Sequence, residues 1–211
     1  MKDISNILDF AETLLGIKYH LWTPSSKNDI FYCNIIPDKV KIHQQGINCA
    51  GFVNILRQYS GLKIPENKWI LSGVPTGGTR FWFNYFNSLS KLQYFDYNTM
   101  YPIGTLFLRD YKDTIDQGHL AVLYKYNLGA PDKLLFADII HSYYMGTVEN
   151  GGVGISNLGM SYFHKMDAKN TVTTSIESDL NNSSNNTSGK ELQDHLGFYE
   201  YAVLPHDWLA I

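Results

Sequence analysis

GINCAGFVNILRQYSG, residues 46–61, places one of the chain's two cysteines at the point where a helix begins. From Cys49 onward Phe52, Val53, Ile55 and Leu56, with Tyr59, recur at helical spacing, and the following SGLKIP supplies Gly61 and Pro65 as terminators. A helix with such a stripe must bury it against other elements, so the segments on either side decide the fold.

Upstream, residues 4–15 place Ile4, Ile7, Leu8, Ala11, Leu14 and Leu15 on one helical face, with Asp3 or Ser5 as N-cap and Gly16 as the stop. The connection then runs through TPSSKND into FYCNIIPDKVKIHQQ, which reads as extended with Pro37 interrupting it. Downstream, a third helix is expected after Thr79, where Phe81, Trp82, Tyr85, Phe86 and Leu89 form an aromatic stripe suited to packing on a sheet. The second half changes character. TLFLRDY (105–111), HLAVLYKY (119–126), KLLFADIIHSYY (133–144) and FYEYAVL (198–204) are rich in β-branched, aromatic and leucine residues and bounded by turn formers. Four strands are expected, most simply as a meander. Helices first and strands afterwards predict an α+β fold with the N-terminal helices packed on an antiparallel β-sheet.

At 211 residues, with a 44% hydrophobic and 14% aromatic composition, the expectation is one folded domain over 1–211. The polar, low-complexity stretch TVTTSIESDLNNSSNNTSGK, 171–190, reads as a flexible insertion, and its Asn186-Thr187-Ser188 sequon as a by-product of composition. A net charge of −3 without basic clusters gives no footprint for nucleic acid. The start, MKDISNILDFAETLLG, carries acidic residues and no unbroken apolar run, so no signal peptide is expected. No segment approaches the ~20 apolar residues of a membrane span. A cytoplasmic or virion-associated location is the expectation. Cys33 and Cys49 are expected as thiols, and with no CxxC or Cys/His cluster at zinc spacing neither a metal nor another cofactor is expected.

A thiol is a useful nucleophile only as thiolate, and the N-H groups and partial positive charge of a helix N-terminus favour that anion at Cys49. Ala50 and Gly51 leave room for substrate, and the Cys49 backbone N-H could donate to an oxyanion. The base that takes the thiol proton is best a histidine. Of seven, His119 stands out because Gly118 precedes it at the mouth of a strand. His141, in the next strand, could hold the first ring in one tautomer, completing nucleophile, base and orienter. Asp138 competes for that role but would face the other side of a regular strand. Cys33, His20, His43, His164, His195 and His206 have no spacing that lifts them above ordinary residues.

These residues resemble the NlpC superfamily of papain-like cysteine peptidases. GINCAGFVNILRQYSGLKIP is similar to that family's nucleophile segment, Asp-Cys-Ser-Gly-Phe-Val followed by an amphipathic helix and Gly-x-x-x-Pro. LLGIKYHLW resembles its Leu-Gly-x-Pro-Tyr-x-Trp, MYPIGTLFL its Pro-Gly-Asp-Leu-x-Phe, and DQGHLAVLYKY its His-Val-Gly-Ile-Tyr strand, in the family's order. The resemblance implies a papain-like fold with Cys49 as nucleophile, His119 as base and His141 as orienter. Tyr19 matches a tyrosine whose hydroxyl lies near the nucleophile, and Asn48 and Gly118 flank the catalytic pair as substrate-contacting positions. Asn48 stands where Asp is usual, Ala50 for Ser, Lys18 for Pro and Thr105 for Asp. The spacing from His119 to His141 requires KYNLGAPDK to form an extended hairpin loop. The implied substrate is a peptide, commonly a peptidoglycan fragment cut after a γ-linked D-glutamate. Alternatives are an acyltransferase or isopeptidase of the same superfamily, or a catalytically inactive peptide-binding module.

Overall fold

The computed structural model describes residues 2–20, 39–65, 77–96, 98–110, 118–127, 134, 137–143, 151–158 and 199–211. Cys33, His164, His195 and the 171–190 insertion lie outside them. The architecture is α+β, a six-stranded antiparallel sheet with helices on one face.

Helix α1, Ile4–Glu12, starts at the Asp3 N-cap, whose carboxylate accepts from the Asn6 N-H at 2.9 Å. Past Glu12 the chain tightens, with the Leu14 N-H on the Ala11 carbonyl and the Leu15 N-H on that of Glu12, before Gly16 turns it at φ +79°. The tighter winding takes Leu15 off the buried face and leaves it 39% exposed, which corrects its expected place on the core stripe. The second half of the segment read as extended also differs: Lys39–Gln45 is a helix, α2. There the spacing of Val40 and Ile42 imitates strand alternation, but only Ile42 is buried, and Gly46 at φ +80° closes the helix through its N-H to the Ile42 carbonyl.

Helix α3, Cys49–Ser60, is the hub of the fold. Asn48 caps it by accepting from the Gly51 N-H at 2.7 Å, and Gly61 ends it in the left-handed region at φ 105°. Buried residues lie all round it, including Arg57, which donates to the Lys63 carbonyl at 2.9 Å and the Trp208 carbonyl at 2.6 Å. Helix α4, Thr79–Ser88, packs Phe81, Trp82 and Phe86 inward as expected, while Leu89, beyond its last turn, is exposed. Asn54 braces the two helices: its amide donates to the Gly77 carbonyl at 3.0 Å and accepts from the Trp82 indole N-H at 2.8 Å. Asn54→Leu orphans both buried partners and is expected to lower unfolding free energy in urea by about 3 kcal/mol, with a loss below about 1 kcal/mol removing the brace.

The strands are β1 Gln93–Tyr94, β2 Leu106–Asp110, β3 Gly118–Lys125, β4 Asp138–Tyr143, β5 Gly152–Asn157 and β6 Tyr201–Val203. Their order is β1-β6-β2-β3-β4-β5. The meander runs from β2 to β5, with β3 and β4 paired antiparallel, and residues 128–133 of the expected KYNLGAPDK loop lie outside the described residues. Two expectations are corrected. The fourth predicted strand does not extend the meander but crosses back to pair with β2, Phe107 opposite Ala202, and β5 is a strand where none was expected. Its Gly-rich GVGISN lacks a strand signature, yet it pairs along the whole of β4 and is covered by the Gly16–Tyr19 segment through the Lys18–Gly152 bridge.

One sheet face, with Leu106, Leu108, Leu120, Val122, Ile140, Val153 and Val203, packs on the helices. The other, with Phe107, Ala121, Leu123, Ile139 and Ala202, is covered by Tyr101, Leu134, Leu158 and Tyr199. The final helix, α5, Pro205–Trp208, returns Trp208 to the helical side, where its indole donates to the Gly104 carbonyl at 2.9 Å. Among the described residues no helix is long and apolar enough to cross a membrane.

Candidate active site

Cys49 is the first residue of α3, and its side chain is 6% exposed. The sulfur lies among core residues but against two oxygens, 4.0 Å from Thr79 Oγ1 and 4.0 Å from the Gly118 carbonyl. Gly118 opens β3 and is bonded to His119, so planar-peptide geometry puts the sulfur within roughly 7 Å of the His119 Cα.

Alternation along β3 sends Leu120 and Val122 to the helices and His119, with Ala121 and Leu123, to the second face. There His119 Nε2 is 2.7 Å from His141 Nδ1, and His141 Nε2 is 2.7 Å from Ser156 Oγ. The rings meet edge to face at 5.0 Å, and Tyr199 lies 6.0 Å from His119. The sulfur thus meets the Gly118–His119 peptide at its carbonyl oxygen, one residue from the imidazole pair. Gly118 is a close contact point: a Cβ there would sit 2.4 Å from the Arg109 carbonyl and 2.4 Å from Thr79 Cγ2.

Burial, with a smaller repulsion from His119, holds His141 well below the ordinary imidazole range, so it is neutral at pH 7. A neutral ring with its proton on Nε2 donates to Ser156 Oγ and accepts at Nδ1 from His119 Nε2. Of the two tautomers that satisfy these contacts, this one leaves Nδ1 of His119 as its basic nitrogen. It also sets a pH dependence. The unfolded chain protonates His141 near pH 6.5 while the folded one does not, so this site's stabilisation is complete above pH 6.5 and is lost as pH falls toward the folded value. The slope is at most about 1.4 kcal/mol per pH unit. His141→Asn should flatten urea midpoints between pH 7 and 5, and an unchanged profile would exclude this origin.

The other expected positions are distributed as follows. Asn48, expected at the substrate, uses its side-chain oxygen to cap α3. Tyr19 is half-buried beside the entry to α3: its N-H bonds the Gly151 carbonyl at 3.1 Å, and the carbonyl of neighbouring Lys18 accepts from Ile47 at 2.8 Å. Asp138 turns away from the imidazoles toward Lys125, at 3.7 Å, and Asn127. Thr79, Ser156 and Tyr199 were missed. A serine in an unrecognised strand and a threonine at a helix start carry no sequence signal for this chemistry. Arg109, also missed, is buried and stands directly opposite His119 in the β2–β3 ladder. Among the described residues no cluster could hold a metal ion.

No family model, curated protein or solved structure matches the chain.

Proposed function

We propose that this protein is a cysteine hydrolase of the papain-like NlpC type, cleaving an amide bond of a small peptide such as a peptidoglycan fragment. The observation that carries the reading is the chain His119–His141–Ser156, with both contacts at 2.7 Å, beginning at the residue whose preceding carbonyl lies 4.0 Å from a helix-terminal thiol. A lone buried cysteine has no need of an oriented imidazole on the residue next to the carbonyl it touches.

In this mechanism Nδ1 of His119 takes the Cys49 proton while Nε2-H keeps donating to neutral His141. The thiolate attacks the amide carbonyl, and the oxyanion accepts from the Cys49 backbone N-H at the helix start. The C-N bond breaks as imidazolium returns the proton to the departing amine. Water, deprotonated by the same nitrogen, then attacks the thioester and releases the acid and the thiol. A neutral orienter stabilises imidazolium less than a carboxylate would, so the anion depends more on the helix terminus.

The test is a panel of defined muropeptides and ubiquitin-like conjugates incubated with the full chain and followed by mass spectrometry. Free amine from a muropeptide, with a transient acyl adduct on the Cys49 peptide, is the expected result. A stable acyl group on an added acceptor would make the protein a transferase. No adduct and no cleavage across the panel, together with tight peptide binding, would make it a binding module.

A further inference from the structure

The hydroxyl of Thr79 lies 4.0 Å from the Cys49 sulfur, on the first residue of α4. We propose that Thr79 Oγ1, at the first turn of α4, donates a hydrogen bond to the Cys49 thiolate and so holds the nucleophile in its reactive form. The inference rests on the reading of Cys49 as nucleophile and adds a residue to it.

Thr79 is 3% exposed, and its hydroxyl is 4.0 Å from the sulfur, within reach of the longer hydrogen bonds that sulfur makes. Three contacts fix it there. Gly118 packs so closely on Thr79 Cγ2 and Cβ that no side chain fits between, which turns the methyl to the sheet and leaves the hydroxyl on the sulfur's side. Asn54 ties Gly77 to the middle of α3, and through the Trp82 indole it ties the first turn of α4 to the same residue. The start of α4 is therefore registered against the helix that begins with Cys49. Gly78, its N-cap, brings no side chain to the α4 terminus, so Thr79 supplies the polar group nearest that end. A donor is what the anion requires. In the resting thiol the S-H can point at the Gly118 carbonyl, an acceptor that cannot stabilise a thiolate. Once the proton has gone to His119, the Thr79 O-H is the group that can turn to meet the charge.

The experiment is iodoacetamide alkylation of the full-length protein from pH 5 to 9, with the Cys49 peptide quantified by mass spectrometry and the Cys33 peptide as internal reference. In wild type the alkylation midpoint of Cys49 is expected well below that of an ordinary thiol. Thr79→Val, close in shape but without the donor, should raise the midpoint by about one pH unit and slow labelling below it roughly tenfold. Thr79→Ser, which keeps the donor and loses the methyl, should restore the wild-type midpoint. Thermal melts establish that both variants are folded. A Thr79→Val profile matching wild type overturns the assignment, as does Thr79→Ser shifted as far as Thr79→Val, which would make the effect one of packing. If wild-type Cys49 itself titrates like an ordinary thiol, the nucleophile reading falls and this inference with it; a low wild-type midpoint unmoved in Thr79→Val sinks only the role of the hydroxyl.

Discussion

Cys49→Ala is expected to reduce amide hydrolysis by at least about 10⁴-fold, to the level left by binding and oxyanion contacts alone. The reason is chemical: the step needs a sulfur that can form and break an acyl bond, and no described side chain near the imidazole pair can replace it. Folding should survive. The side chain is small, and alanine keeps the helix start with its Asn48 cap intact. Loss of a single sulfur from the core costs about 1–2 kcal/mol, so a melt separates inactivation from unfolding. Cys49→Ser should be nearly as dead, because a hydroxyl paired with an imidazole that leans on a neutral ring lacks the driving force a thiol has. Full activity in Cys49→Ala would eliminate the mechanism, and the role of Thr79 with it.

The second large effect is expected at Gly118. Alanine there meets the Thr79 methyl and the Arg109 carbonyl, each at 2.4 Å. A side-chain methyl can swing away; the carbonyl belongs to the β2–β3 ladder, where Asp110 pairs with Gly118 and Arg109 with His119, and can move only by parting the strands. Gly118→Ala should therefore cost about 2–3 kcal/mol in urea and a larger share of activity, since the strained peptide is the one shared by the sulfur's contact and the proposed base. Adding Thr79→Ser removes one of the two collisions. The double variant should recover part of the stability, and a double variant no more stable than Gly118→Ala would show that the methyl is not involved. Wild-type stability in Gly118→Ala would mean the strand end is looser than the packing requires.

How much of this could be read beforehand follows from where each signal resides. The helix from Cys49 to Ser60 was legible because apolar spacing, cap and terminating glycine all lie within it. The cores of β2, β3 and β4 were legible for the same reason. Helix α2 was misread because two apolar residues two apart fit either period, and tertiary burial of Ile42 settled it. Strand β5 was invisible because its glycines contribute backbone pairing rather than side chains, and the position of β6 was invisible because strand order depends on crossovers rather than composition. At the site, Cys49, His119 and His141 could be proposed from their neighbours in sequence. Ser156 and Thr79 could not, since each is joined to the others only by the folded sheet.

The place of β6 bears on how the chain comes into being. Residues 201–203 are made after every other described strand, yet they fill the slot between β1 and β2. Trp208, made later still, plugs the helical core and receives the buried Arg57 through its carbonyl. While a ribosome is still translating the preceding residues, the sheet has an open seam and the hub helix an uncovered flank. A growing chain therefore carries its thiol and imidazoles without the frame that aligns them until residues 201–208 have emerged, and any reactivity they acquire together arises only after that.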